Sequence, residues 1–291
     1  MIGNASLSCV QANKLPNQDE NRHKEEFMAL LVIFEKLLDS LPNDMESWEV
    51  MEELMALRAD FAIHHALEGF GLEYDTALEL LRNAEDGLSE QDKARRNIVV
   101  AAIDNLVDFA VAEEYQMAQE LPDIEDIEEF EEEEQDEVFA IFSKYNDRYA
   151  LIENQDAKYS MIVAAQLLLI ANNTVLTYMT QGDERVRPWH LQYEGFSAPK
   201  ASFPAWLIPP IEHACRCYLV EDSIVAQISE VQNAVVRIPE MPEWFNPTFK
   251  ESVALGGRIF SDEHPYFQIQ SEHIEVLQSI ANRIKSRYFN G

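Results

Sequence analysis

Apolar side chains recur at helical spacing through most of the first 120 residues of this 291-residue chain, and this periodicity constrains the fold more than any other feature. The periodic segments are separated by Leu-Pro-Asn-Asp at 41–44, Gly-Phe-Gly at 69–71 and Ser-Glu-Gln-Asp at 89–92, which are typical of helix ends and N-caps. The sequence therefore predicts helices over about 24–40, 45–68 and 90–119, with a shorter helix ending near Asn83.

Acidic residues are distributed very unevenly. The net charge is −31, and residues 1–150 hold 37 acidic against 11 basic side chains, whereas residues 151–291 hold 16 against 11. The difference predicts two regions with different surfaces. We expect a flexible polar tail at 1–22, an acidic helical region at 23–150 and a small α+β domain at 151–291. A nucleic-acid backbone needs clustered Lys and Arg, so the first half is a poor match for it.

The acidic maximum lies in the segment 123–137 and leaves two interpretations open. It contains Glu131, Glu132, Glu133 and Glu134. In the first interpretation the segment is a solvated helix face, because apolar residues up to Phe142 keep helical spacing. In the second, the four glutamates bind a basic partner. A calcium loop is not indicated, because no glycine-containing loop of about twelve residues with calcium-ligand spacing is present.

The sequence of the second region, 151–291, predicts short strands around a buried helix. A helix over about 154–171 would be apolar nearly all round, as a central buried helix is. Val175–Met179 has the β-branched and aromatic content of a strand, and 213–220 is predicted to be a second strand. The fold class predicted is thus α+β. No apolar run reaches the ~18 residues of a membrane span, and the N-terminus does not resemble a signal peptide.

The stretch 177–222 concentrates charged, aromatic, histidine and cysteine residues. Asp183 is placed to pair with Arg185 or Arg187 through two hydrogen bonds. Gly195 is expected to have a positive φ angle. On a strand, His213, Cys215 and Cys217 would share one face.

Together with His190, these three side chains would form a two-histidine, two-cysteine zinc site. The alternative is a pair of buried, reduced thiols beside a hydrogen-bonded histidine. With Cys9 the chain has three cysteines, which is not the pattern of a disulfide framework.

The order of residues in this stretch resembles the phage Mu F-like minor head proteins, the head-morphogenesis family of tailed phages. That family has Asp-x-Arg-Val-Arg-x-x-His, then a Gly, then Pro-Pro and a closing Cys-Arg-Cys. The matching positions are Asp183, Arg185, Val186, Arg187, His190, Gly195, Pro209, Pro210, Cys215, Arg216 and Cys217. The resemblance covers roughly 154–267, where Trp-Phe-Asn-Pro at 244–247 is similar to a downstream segment of the family. Many relatives have a Cys-x-x-Cys pair where this chain has Arg187-Pro-Trp-His190.

The resemblance implies a minor component of the phage head that acts in head assembly, DNA packaging or delivery. The implied partners are the portal and other capsid proteins, with phage DNA contacted only indirectly. No membrane and no small-molecule substrate is implied. The protein would be present in the host cytoplasm during assembly and then in the virion head. The motif implies a structural role, and no catalytic residue is assigned from it.

Two other function classes are weighed against this one. The first is an enzyme, either a metal-dependent nuclease or a nucleotide-modifying effector, that uses His190, His213 and Asp183. No P-loop, Gly-x-Ser-x-Gly or His-Glu-x-x-His motif occurs, and the acidic surface opposes attraction of nucleic acid, so we expect no enzyme activity. The second is an acidic module for a basic partner, centred on the four glutamates named above.

Overall fold

A computed structural model describes residues 16–40, 44–83, 87–122, 132–221, 238–269 and 272–290. The helices are α1 (Pro16–Ser40), α2 (Asp44–Phe70), α3 (Tyr74–Arg82), α4 (Glu90–Glu120), α5 (Glu132–Ser143), α6 (Ala150–Leu168), α7 (Pro188–Leu191) and α8 (Ile274–Phe289). The strands are β1 (Val175–Met179), β2 (Ser197–Pro199) and β3 (Tyr218–Glu221). The predicted α+β class is confirmed, with helix the dominant element among the described residues.

The four helices predicted for the first half are present, with ends close to the predicted ones. Ser89 caps α4 as expected, because its side-chain oxygen accepts a hydrogen bond from the Asp92 backbone N–H at 3.1 Å. Helix α1 begins at Pro16, so residues 16–22 are helical where a flexible tail is predicted. Residues 1–15 of that tail lie outside the described part of the chain.

Helix α2 is the centre of the helical layer and packs against α1, α4 and α6. The buried apolar side chains form one continuous cluster that draws on both halves of the sequence. Fully buried members include Phe34, Leu54, Val107, Met161 and Ile284. Helix α8, at the end of the chain, closes this layer by packing on α3 and α4.

Helix continues without a break from Glu132 to Leu168. It therefore runs through residue 150, where the strongly acidic part of the sequence ends. A π-helical segment, Lys144–Tyr149, joins α5 to α6. Val138 and Phe142 on α5 are buried, as their spacing predicts. The predicted boundary at 150 therefore separates two surface compositions within one helical run.

A close approach between α2 and α6 depends on Gly69. A Cβ atom added at Gly69 would lie 2.1 Å from the Lys158 carbonyl oxygen. Only glycine lets the two backbones come this close.

The sheet is small and antiparallel, in the order β2-β1-β3. The strand predicted at Val175–Met179 is observed with those ends and pairs Thr177 with both Ser197 and Val220. The strand predicted at 213–220 is wrong for most of its length, because β3 begins at Tyr218. The preceding residues form turns, with Ala214 at φ 55° and a cis peptide bond between Pro209 and Pro210.

The helical layer also encloses a polar cluster centred on Arg58 of α2. The Arg58 guanidinium bonds to Glu153 at 3.0 Å and to Asn154 at 2.9 Å, and its Nε lies 2.9 Å from a Glu113 carboxylate oxygen. Glu114 accepts a hydrogen bond from Asn146, and Tyr266 donates one to Glu153 at 3.0 Å. Three buried carboxyl groups thus surround one buried guanidinium, an arrangement that the sequence pattern does not predict.

Candidate functional site

Helix α7 presents His190 to the loop that leads into β3. Pro188 occupies the first turn of α7, where a missing backbone N–H costs nothing, and Arg187 is the N-cap residue. Tyr193 N–H bonds back to the His190 carbonyl, and Gly195, at φ 81°, turns the chain into β2. The positive φ predicted for Gly195 is confirmed, and this turn holds the imidazole against the inner side of the 211–217 segment.

The His190 ring has a different partner on each nitrogen. Its Nδ1 lies 3.1 Å from the Cys217 sulfur and 4.0 Å from the Cys215 sulfur. Its Nε2 lies 3.2 Å from Glu212 Oε2. The imidazole is 2% exposed, and both thiols are buried. One ring edge therefore faces two sulfurs while the other faces a carboxylate.

The Oε2 atom of Glu212 is contacted by several surrounding donors. Trp189 Nε1 donates to this oxygen at 3.0 Å, and Arg187 Nε lies 3.2 Å from it. Arg187 also donates to the His213 carbonyl at 2.9 Å. Sequence reasoning does not include Glu212 in the site, although its position directly before His213 in Pro-Pro-Ile-Glu-His is a signal that could have indicated it.

The bidentate pair predicted for Asp183 exists, but its partner is Arg216. The two guanidinium nitrogens of Arg216 donate to the two Asp183 oxygens at 2.8 and 2.9 Å. Arg185 contributes only its backbone N–H, at 3.1 Å from Asp183 Oδ1. The prediction of Arg185 or Arg187 as the partner was therefore wrong. The hydrogen bonds from Arg216 hold the pKa of the Asp183 carboxyl below its usual value.

Three of the four residues predicted as zinc ligands meet, and His213 is apart from them. The ligand atoms of His190, Cys215 and Cys217 all lie within 4.8 Å of one another. His213 instead places Nδ1 3.0 Å from Asp156 Oδ2, and the other Asp156 oxygen accepts from the Ala214 N–H at 2.9 Å. Asp156 on α6 thus bends the chain at 213–214, which is why the predicted same-face strand arrangement does not form.

Two tyrosines complete the surroundings of the thiols. Tyr159 of α6 donates to the Cys217 carbonyl. Tyr178 of β1 is fully buried, and its hydroxyl lies beside the Cys217 thiol without a hydrogen bond of good geometry to any described residue. Neither tyrosine was predicted as part of the site, because each comes from an element distant in sequence.

The electrostatics of the site favour charge separation between the imidazole and the sulfurs. A hydrogen bond to Cys217 and burial raise the pKa of Cys215, whereas the hydrogen bond from Cys215 lowers that of Cys217. Burial disfavours a charged His190, yet Cys215 and Glu212 together raise its pKa. Burial likewise opposes ionisation of Glu212, but His190 and Arg187 bring its pKa below the usual value. Cys217 is consequently the sulfur that ionises more readily.

Aromatic rings cover the outer side of the site. Trp189 packs edge-to-face against Trp244 and Phe245, with ring centroids 5.1 and 5.9 Å apart, and Trp206 packs on Phe245 at 5.4 Å. Trp244 is 57% exposed, so this cover continues to the surface.

The acidic run predicted to bind a basic partner is only partly described. Glu131 lies outside the described residues, Glu132 and Glu133 begin α5, and Glu134 is exposed. No described helix combines the length and apolar content that crossing a bilayer requires.

No protein-family model matches the chain, and neither the curated proteins nor the solved structures include a match. The likeness to the Mu F-like family therefore rests on the motif residues themselves.

Proposed function

We propose that this protein is a minor head protein of a tailed phage, associated with the portal vertex and acting in head assembly, DNA packaging or delivery. The observation that supports the proposal is the pairing of motif residues distant in sequence. Asp183 pairs with Arg216 across 33 residues, and His190 contacts Cys217 across 27. Residues that define the family pattern in linear order are thus also partners in space.

In this proposal the motif has a structural task. Its side chains bond to one another and tie the loop after β1 to the chain entering β3. Among the described residues, the surface above the motif, where Trp244 and the half-exposed Leu191 lie, is open to a partner. Tryptophan is enriched at the centres of protein–protein interfaces. We expect the portal or another capsid protein to contact this surface, with DNA contacted only indirectly because of the net charge of −31.

The nuclease or effector alternative has less support from the geometry. Asp183 is paired with Arg216, His213 with Asp156, and His190 is 2% exposed. His190 is also bonded, to Cys217 and Glu212. Each of the three groups assigned to catalysis in that alternative therefore has its own protein partner.

The proposal is tested in particles of the phage that encodes the chain. Mass spectrometry of purified virions and cryo-EM of heads should find the protein in few copies near the portal vertex. Arg216→Gln should reduce the yield of filled heads, because it breaks the Asp183 pair. Lys250→Gln is the matched control, since it breaks an exposed Lys250–Glu263 pair outside the motif. Absence of the protein from both virions and assembly intermediates would contradict the proposal.

A further inference from the structure

We propose that His190 Nδ1, Cys215 Sγ and Cys217 Sγ bind a zinc ion that fastens α7 to the 211–217 segment. This inference is independent of the head function, because it concerns what these three side chains hold and not what the protein joins.

The distances from His190 Nδ1 to the two sulfurs are close to those in a tetrahedral zinc site. With metal–sulfur and metal–nitrogen bonds of about 2.3 and 2.1 Å, tetrahedral donors lie roughly 3.6 Å apart. The two Nδ1–sulfur distances, 3.1 and 4.0 Å, lie on either side of that value. Adjustments of about half an ångström would equalise them, well within the range of side-chain rotation.

Glu212 already occupies the position of a supporting carboxylate. Histidines that bind metals commonly donate their other ring N–H to a carboxylate, which fixes the ring and the tautomer. Here Nε2 faces Glu212 at 3.2 Å, so Nδ1 is the nitrogen aimed at the sulfurs. Trp189 and Arg187 hold Glu212 in turn.

Tyr178 supplies a second, separate indication of a ligand. Its hydroxyl is buried and faces the Cys217 sulfur, and no nitrogen or oxygen of the described residues bonds to it. A thiol sulfur is a weak acceptor, so a buried hydroxyl that faces only a sulfur is poorly satisfied, and this needs an explanation. With three protein ligands, zinc completes its tetrahedron with a water, and the Tyr178 hydroxyl would bond to that water or to a metal-bound thiolate.

The chemistry of the donors selects the metal class. Thiolate and imidazole ligands favour zinc and copper(I) over magnesium or calcium, which take oxygen ligands. Cys215 and Cys217 are buried, so protein would enclose the ion on the side of its three ligands, and a water would be the fourth ligand.

The full-length protein, purified without chelators, should contain about one zinc per chain by elemental analysis. Cobalt(II) titrated into the metal-free protein should give thiolate-to-cobalt charge-transfer absorption and tetrahedral d–d bands. Cys217→Ser and Cys215→Ser should each reduce the charge-transfer band strongly. Cys9→Ser is the matched control and should behave as the unaltered protein.

Two further variants keep the test valid if the cysteine variants fail to fold. Glu212→Gln and Tyr178→Phe retain all three ligands, so both should keep the spectrum while weakening cobalt affinity by roughly 10- to 100-fold. Wild-type protein that gives no thiolate–cobalt band would overturn the proposal. A copper-containing protein without zinc would overturn the choice of metal, and unchanged affinity in both supporting variants would overturn their assigned roles.

Discussion

Arg58 and the carboxyl groups around it show how single residues set the response of the core to pH. Burial, opposed by the Arg58 charge, raises the pKa of Glu114 to about 7, and burial raises that of Glu113 well above its usual value. One guanidinium cannot neutralise three buried carboxylates. Protonation of Glu113 and Glu114 therefore lowers the free-energy cost of keeping the cluster buried.

We expect the protein to lose stability from this cluster as the pH rises. A carboxyl with a raised pKa in the folded chain contributes fully below its unfolded value of 4.5, and that contribution is lost as the pH passes through about 7. Between pH 5 and 8, the free energy of unfolding of Glu114→Gln should fall about 2–3 kcal/mol less than that of wild type. Urea unfolding at both pH values measures this.

The exposed Glu79 on α3 provides the control for that measurement. Glu79→Gln should leave the difference between pH 5 and pH 8 as in wild type. If Glu114→Gln retains the full wild-type difference, then Glu114 is ionised in the folded protein at both pH values.

Among the elements, the contact between α2 and α6 depends most on one position. Gly69→Ala would put a methyl group 2.1 Å from a backbone carbonyl, and backbone cannot swing aside as a side chain can. We expect a loss of about 1–3 kcal/mol or more, despite the better helix propensity of alanine. Thermal or urea unfolding of the variant measures the loss.

Gly87→Ala is the comparison, because nothing lies within 4 Å of the added Cβ there. Its effect should stay within about 0.5 kcal/mol. Equal stability of the two variants would mean that α2 and α6 separate easily at Gly69.

The elements also show what could be predicted from the sequence. Ser89 and the Val175–Met179 strand depend on neighbouring residues, and both were predicted correctly. The 213–220 strand failed because Asp156, nearly sixty positions earlier, takes the Ala214 N–H and the His213 ring. The Arg58 cluster, Glu212 and Tyr178 were missed for the same reason: their roles come from partners on other elements.

At the scale of the whole molecule, the two halves share one core despite their different charge. Tyr115 of α4 hydrogen-bonds to His273 just before α8 at 2.7 Å, and the His273 ring packs on Trp48. Asn105 of α4 bonds three times to the backbone at 259–260, each at 2.9 Å. The acidic and less acidic regions are therefore held together by buried contacts as well as by the chain.

We expect both regions to unfold together. A shared core predicts one cooperative transition, so far-UV circular dichroism and tryptophan fluorescence should give the same midpoint in urea. Single-tryptophan variants that keep either Trp48 or Trp206 report on the two regions separately. Midpoints that differ by more than the experimental error would instead identify two independently folding units.

The π-helical segment at 144–149 changes the angular position of α6 relative to α5. A π turn takes one residue more than an α turn, so everything after it is rotated by about 100° about the helix axis. That rotation decides which residues of α6 point inward. Glu153 meets Arg58 and Asp156 meets His213 in this phase. Deleting one residue of this segment would turn the π turn into an α turn and leave Glu153 and Asp156 facing the same two clusters, whereas deleting a residue between the π turn and Glu153 would rotate both side chains away.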